Sequence, residues 1–299
     1  MSVSKLLLLF NNAYEFWLKY IDKSLEHKYT DALIIGSLHH TLVLEDHKLN
    51  EEYEIIDLPT YPKLADWQRV VGQLGGDTVG TIETLKDEYN FLLEESDKII
   101  AKQSHLEIAK HTSFHALASV FAINYKVAMP LVSMLDKPYC YVERTFYGEI
   151  DGVKFQVRPD MLFDGDHDGE PYWIVVDLKT GETDQRHDFE NSLTKYNYDV
   201  QQWIYTEILR QNGIHVRIFR FLVSGKKKTT KASYYDISYL AVEKAGERAK
   251  KMIEKYKYCI KNDIWESGTF DYKSGKFAYS TTINPKVYKQ YEDYEMGIE

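Results

Sequence analysis

The segment YWIVVDLKTG, Tyr172–Gly181, constrains the fold of this chain more than any other. A short apolar run rich in β-branched residues is typical of a strand at the centre of a sheet. Because side chains alternate along a strand, Asp177 and Lys179 are predicted to lie on the same face. Burying a carboxylate and an ammonium group is costly unless both have partners. The pattern therefore indicates either a metal or phosphate site, or an ordinary ion pair at the end of a strand.

The composition is typical of a folded, soluble protein. The chain has 299 residues, of which 44% are hydrophobic and 28% charged, as in folded soluble proteins of one large or two small domains. The net charge of -9 argues against non-specific coating of nucleic acid, but it allows a local basic channel. Two cysteines, Cys140 and Cys259, are too few for a disulfide scaffold or an iron–sulfur cluster, so a reducing intracellular setting is expected. The apolar run Leu6–Phe10 is too short to span a membrane, so no membrane partner is expected.

The periodicity changes from helical to strand-like along the chain. Helices are predicted over residues 3–25, 31–46, 63–75, 80–97, about 103–125, 191–211 and 241–261, with a loop over 47–62. Strands are predicted over residues 140–149, 153–163, 172–179, 214–223 and 233–240. This order predicts an α/β fold in which helices flank a mixed central sheet. It also predicts one domain, 1–299, with a helical N-terminal elaboration over about 1–30 and an irregular C-terminal tail over about 265–299.

A second carboxylate, Asp160, lies on the strand predicted before Asp177. The intervening residues are numerous enough for a hairpin that places the two strands side by side. Both acids would then converge on one divalent cation such as Mg²⁺, which prefers oxygen ligands. Lys179 would lie beside a water molecule bound to this cation. There an ammonium group can orient the water and neutralise charge that develops on a phosphoryl group.

These residues resemble the PD-(D/E)XK nuclease signature, here formed by Pro159-Asp160 and by Asp177-Leu178-Lys179. On the following helix, Gln201 and Tyr205 have a Q-x-x-x-Y spacing that places them on one face. This spacing is similar to the Gln–Tyr helix of RecB-like nucleases. Upstream, GSLHHTLVLE resembles the G-x-x-x-H-x-x-x-L-E helix of phage-type RecE-like exodeoxyribonucleases, with the histidine at His40.

The resemblance implies a PD-(D/E)XK core and an exonuclease VIII-like activity, the hydrolysis of linear double-stranded DNA from the 5′ end in phage-type recombination. It implies Mg²⁺ as cofactor, with Mn²⁺ as a substitute, bound by His40, Asp160, Asp177 and the Leu178 carbonyl. Lys179 would position the nucleophile, while Gln201 and Tyr205 would support the acids or the DNA phosphate. The implied partners are double-stranded DNA ends, a single-strand annealing protein and further copies in a ring. The implied setting is the cytoplasm of a bacterial host, with a phage or prophage origin.

Several alternatives remain open on the sequence alone. His39 is adjacent to His40, and Glu143 occupies a position at which many relatives carry an acid, so both assignments are open. An endonuclease, a catalytically idle DNA-end-binding protein and a metal-dependent hydrolase of another class are the rival functions. The basic run Lys226–Lys231 is interpreted as a solvated loop that on a nuclease would be able to touch the DNA backbone.

Overall fold

A computed structural model describes residues 1–25, 29–56, 97–124, 127–167, 170–266, 269–271 and 276–278. Except for Asp97, the predicted helices over 63–75 and 80–97 lie outside these residues. The chain groups into two compact units. The first consists of Met1–His27, Glu149–Phe155 and Gly246–Glu299, and the second of Lys28–Gly148 and Gln156–Ala245. The prediction of one domain with an N-terminal elaboration stays a prediction.

The described α-helices are α1 Val3–Asn11, α2 Ala13–Trp17, α3 Asp31–Leu44, α4 Leu49–Glu52, α5 Gln103–Ala118, α6 Val132–Leu135, α7 Arg186–Tyr196, α8 Tyr198–Gln211 and α9 Tyr239–Asn262. A π-helical turn, Leu18–Asp22, follows α2, and a 3-10 turn, Asp46–Lys48, precedes α4. The described strands are β1 Tyr53–Ile56, β2 Ile99–Lys102, β3 Val120–Asn124, β4 Val127–Pro130, β5 Cys140–Val142, β6 Phe146–Ile150, β7 Val153–Val157, β8 Met161–His167, β9 Glu170–Gly181, β10 Val216–Gly225, β11 Ala232–Asp236, β12 Thr269–Asp271 and β13 Lys276–Ala278. None of the helices in the described part of the chain combines the length and the apolar character needed to cross a bilayer.

In the first unit, the helix predicted over residues 3–25 is broken at Asn12. The backbone of Asn12 is extended, with φ -152°, and its side chain accepts a hydrogen bond from the Glu15 N–H at 3.0 Å. Asn12 therefore ends α1 and caps α2, as a short polar side chain does at a helix start. Against α2, Phe16 stacks on Trp265 with ring centroids 5.8 Å apart. The tail predicted to be irregular contains β12 and β13, which pair antiparallel.

The second unit contains a five-stranded mixed sheet in the order β11-β10-β9-β8-β5. The β9–β10 pair is parallel and the other pairs are antiparallel. The α/β class, with a mixed central sheet flanked by helices, is confirmed. Two predicted strands are wrong in extent, since 140–149 divides into β5 and β6, and 153–163 into β7 and β8. Glu143 adopts a left-handed φ of 51° after β5, and Pro159, which lacks an N–H for pairing, separates β7 from β8.

Other boundaries also differ from those predicted. The loop predicted over 47–62 contains α4 and then β1, which pairs parallel with β2. The helix predicted over about 103–125 ends at Ala118, because the β-branched and aromatic segment that follows pairs with β4 as β3. The helix predicted over 191–211 is two helices, α7 and α8, divided at Asn197 by a left-handed φ of 53°.

Strand β9 is buried on both of its faces. Ile174, Val176 and Leu178 belong to a core that includes Val43 of α3 and Ala116 of α5. The intervening side chains point to the opposite face, because side chains alternate along a strand. Asp177 on that face accepts a hydrogen bond from α8. One strand thus supplies the centre of the core and carries charged groups towards α8.

Candidate active site

The hairpin of β8 and β9 brings the two predicted acids together. Met161 pairs with Val176 across the hairpin, and Asp160 and Asp177 directly flank this pair. The Leu178 N–H donates to Asp160 Oδ2 at 2.6 Å. Asp160 and Asp177 are only 8% and 1% exposed. The two carboxylates are therefore buried neighbours at one position of the sheet, as the sequence predicts.

His40 lies beside Asp160. Its Nε2 is 3.3 Å from Asp160 Oδ2, while its Nδ1 is 2.8 Å from the Gly36 carbonyl oxygen one turn earlier on α3. Burial lowers the pKa of His40, but the charge and hydrogen bond of Asp160 outweigh this effect and raise the pKa to about 9. Although burial opposes it, the same pairing lowers the pKa of Asp160. The pair is thus an imidazolium and a carboxylate at neutral pH.

His39 points away from the acids. It is fully buried, and its Nδ1 lies 3.3 Å from Ser113 Oγ on α5. Its Nε2 has no hydrogen-bond partner within the part of the chain that the structure describes. Burial and then the charge of His40 lower the pKa of His39 to about 3, so the ring is neutral. The structure places His40, rather than His39, beside Asp160; metal binding by His40 stays a prediction.

Asp177 and Lys179 form an ion pair on the face of β9 that α8 covers. Lys179 Nζ contacts Asp177 Oδ2, and Gln201 Nε2 donates to Asp177 Oδ1 at 2.8 Å. Burial raises the pKa of Asp177 to about 6 in spite of the nearby ammonium group. The charge of Asp177 raises the pKa of Lys179 although burial opposes it. Gln201 on α8 thus contacts the acid directly, and its supporting role stays a prediction.

Tyr205 is close to the acids without contacting them directly. Its hydroxyl lies 3.5 Å from the Arg158 carbonyl oxygen, two residues before Asp160, at the long limit of a hydrogen bond. Burial raises the pKa of Tyr205, so its hydroxyl stays protonated. Tyr205 thus lies against the segment that carries Asp160, and its predicted role stays a prediction.

Two aromatic rings that the sequence analysis does not assign to the site surround the lysine. Lys179 Nζ is 4.8 Å from the centroid of Tyr198 and 5.8 Å from that of Phe221. The two rings stack with centroids 5.9 Å apart. A cation over an aromatic face is stabilised by the negative face of the ring. Tyr198 lies one turn before Gln201, whereas Phe221 is placed by its parallel pairing with Asp177, a register that sequence spacing does not give.

Glu143 also lies beside Asp160. The Glu143 N–H donates to the Asp160 carbonyl oxygen at 3.1 Å, and its Oε2 is 2.5 Å from Arg158 Nε. Burial and then the charge of Asp160 raise the pKa of Glu143 to about 7, although Arg158 opposes this. The structure therefore adds a third carboxylate near the two acids.

Known proteins related to this chain identify its family. Residues 2–276 match the family described as a PDDEXK-like domain of unknown function (DUF3799). The chain belongs to this family. The sequence matches none of the curated proteins at a significant level.

A similar fold is found in the crystal structure of a “putative exonuclease” from Eubacterium rectale. The two structures have a TM-score of 0.54 and 13% sequence identity, and the match covers 100% of this chain and 93% of the other. At this identity the likeness shows the fold alone. The resemblance to the PD-(D/E)XK superfamily is therefore confirmed, and family membership and fold together support a nuclease.

The two carboxylates of this PDDEXK-like site, at one end of the β8–β9 hairpin, suit a hard divalent cation, which prefers oxygen ligands. The imidazole of His40 lies beside them and would bind a metal only after losing a proton. As the side chains stand, no three His, Cys, Asp or Glu residues within the described ranges are arranged to hold a metal. Two of the carboxylate oxygens contact His40 and Lys179 instead. A bound cation would compete with these two groups. The site is reachable from solvent, because the side chains of His40 and Lys179 are 32% and 16% exposed.

Proposed function

We propose that this PDDEXK-like protein is a Mg²⁺-dependent exodeoxyribonuclease that hydrolyses linear double-stranded DNA from the 5′ end, with Mn²⁺ as a substitute. The observation that carries the proposal is the placing of Asp160, Asp177 and Lys179 at one end of the β8–β9 hairpin, with His40 beside them. Burying two carboxylates side by side, with two partly exposed cationic groups against them, is costly, which favours a chemical role over a purely structural one. The name of the Eubacterium rectale protein supports the choice of an exonuclease.

Each residue of the site has a distinct proposed role. Asp160, Asp177, His40 and the Leu178 carbonyl would hold the cation, which when bound supplies a Lewis acid for the phosphoryl oxygens and the attacking water. Lys179 would orient that water and neutralise the charge that develops on the phosphate. Gln201 fixes Asp177 by a hydrogen bond. Tyr198 and Phe221 fix the ammonium group of Lys179 by their ring faces.

The test of this function is digestion of linear duplex DNA labelled at either the 5′ or the 3′ end, with Mg²⁺, with Mn²⁺ or with a chelator. The proposal expects metal-dependent release of the 5′ label first, while covalently closed circles stay intact. Release of the 3′ label first would mean that digestion starts from the 3′ end. Cleavage of closed circles would make the protein an endonuclease. If no DNA is cleaved but duplex ends are bound, an idle end-binding protein replaces the proposal.

The expected partners belong to the same proposal. A nuclease similar to the RecE-like exodeoxyribonucleases would encircle DNA as a ring of identical subunits. It would deliver single strands to an annealing protein. Light scattering at micromolar concentration tests the ring, and a monomeric mass in the presence and absence of duplex DNA would contradict it.

The aromatic contact with Lys179 gives a separate prediction. Tyr198→Leu is expected to lower the rate of DNA cleavage by about five-fold, because a partly buried cation–π contact contributes about 1 kcal/mol. Tyr198→Phe keeps the ring face and is expected to cleave like the wild type. Initial rates of the three proteins, with circular dichroism as a check of folding, measure the effect. Equal loss in both variants would mean that the hydroxyl group, rather than the ring face, is what matters.

A further inference from the structure

The segment Lys226–Lys231, termed the lysine turn, connects β10 to β11. Its backbone is anchored at both ends. The Gly225 N–H donates to the Lys231 carbonyl at 2.9 Å, and the Lys226 N–H donates to the Gly181 carbonyl at the end of β9 at 3.0 Å. The turn is therefore attached directly to the strand that carries Asp177 and Lys179.

The interior of the lysine turn is tightly packed. The hydroxyl of Thr230 donates to the Lys227 carbonyl at 2.6 Å, and His111 Nε2 lies 3.1 Å from the same oxygen. A Cβ atom at Gly225 would lie only 2.2 Å from Thr230 Oγ1, so glycine is required where the turn begins. These contacts give the turn one defined shape, whereas a free solvated loop would have none of them.

The charges of the lysine turn are available to a ligand. Lys227, Lys228 and Lys231 are exposed, and none of them pairs with a carboxylate of the residues that the structure describes. Lys226 has a carboxylate partner, Glu182, at 3.3 Å. The nearby carboxylate of Asp184 is buried and accepts a hydrogen bond from Ser233 at 2.9 Å. A chain of net charge -9 thus presents three unpaired cations on one anchored turn.

The lysine turn lies at the same edge of the sheet as the candidate active site. Because β9 and β10 are parallel, their carboxyl ends meet at one edge, and Val223 pairs there with Lys179. The turn begins three residues after Val223, which at about 3.3 Å per residue is about 10 Å along the strand. One DNA strand carries a phosphate about every 3.4 Å along the helix axis. A strand that reaches Lys179 therefore has further phosphates within this distance.

We propose that the lysine turn binds the phosphate backbone of the DNA substrate next to the phosphate held at Lys179. This inference rests on the proposed function, since it assigns a second contact to the same substrate. Lysine ammonium groups bind phosphate as point charges, without reading bases, which suits an enzyme that digests DNA of any sequence. The anchored turn would hold the strand in place while the end is cleaved.

The experiment compares the wild type with a triple variant, Lys227→Gln, Lys228→Gln and Lys231→Gln. The control triple variant, Lys244→Gln, Lys250→Gln and Lys251→Gln, removes the same charge from exposed lysines of α9. The Kd for a short labelled duplex is measured with chelator present over a range of salt concentrations. Each lost phosphate contact makes the slope of log K against log salt shallower by about 0.9. The slope of the turn variant is therefore expected to be shallower than that of the wild type by about 2 to 3. The control variant is expected to keep most of the wild-type slope.

Steady-state cleavage gives the second readout. The turn variant is expected to show a KM raised about ten-fold with kcat nearly unchanged, because the lysines bind the substrate away from the reacting phosphate. The charge-retaining variant Lys227→Arg, Lys228→Arg and Lys231→Arg is expected to restore the wild-type slope and KM. Wild-type values in the turn variant would overturn the inference and leave the proposed function standing. A wild-type protein that neither binds nor cleaves DNA would overturn both.

Discussion

Lys179→Met is expected to lower the rate of DNA cleavage by about 10²–10³-fold, the usual cost of removing one electrostatic group from the reacting centre. Methionine keeps an apolar stem that packs against Tyr198 and Phe221, but it removes the charge that would orient water and neutralise the phosphate. Single-turnover cleavage of a labelled linear duplex at saturating Mg²⁺ measures the loss. Wild-type cleavage by this variant would remove Lys179 from the mechanism.

The same substitution is expected to destabilise the fold. Asp177 is buried, and its pKa is already raised to about 6 by burial, with Lys179 the largest opposing effect. Without the ammonium group Asp177 is left with Gln201 alone, and breaking a buried ion pair typically costs about 3 kcal/mol. Urea denaturation in the presence of a chelator measures the free energy of unfolding. The control Lys137→Met, at an exposed position, is expected to change it by less than about 0.5 kcal/mol.

Asp160→Asn is expected to lower both metal affinity and cleavage by at least about 10²-fold, because even the outer partners of metal ligands contribute about 10–100-fold. Asp160 Oδ2 accepts the Leu178 N–H and faces His40, so the neutral amide removes the charge that the imidazolium pairs with. Calorimetric titration with Mg²⁺ and the cleavage assay measure the two effects.

The matched control for Asp160→Asn is Asp164→Asn. Asp164 lies on β8, the strand that follows Asp160, but its side chain is exposed. The control therefore makes the same chemical change outside the buried cluster, and it is expected to bind Mg²⁺ and to cleave like the wild type. Equal losses in the two variants would mean that Asp160 has no special role.

The parts of the site that follow from local periodicity could be predicted from the sequence. The alternation of β9 places Asp177 and Lys179 on one face, and the helical spacing of α8 brings Gln201 to Asp177. The hairpin of β8 and β9 also follows from two strand patterns close in sequence, so the sequence predicts Asp160 beside Asp177.

The parts that depend on backbone angles or on distant pairing could not be predicted. Asn197 divides a helical pattern by a left-handed φ that asparagine tolerates, and no periodicity signals it. Phe221 reaches Lys179 only through the register of two parallel strands, which long-range contacts determine. Which of His39 and His40 lies beside Asp160 likewise depends on the packing of α3 against Ser113.

The decisive assay of the proposed nuclease activity compares cleavage of labelled linear duplex DNA by the wild type and by Asp177→Asn over a titration of Mg²⁺. Circular dichroism of both proteins shows whether they are folded. We expect cleavage by the wild type that rises with Mg²⁺ and stops with chelator, and a loss of cleavage of at least about 10²-fold in the folded variant. Equal cleavage by both proteins, or cleavage that is indifferent to chelator, would contradict the proposed function.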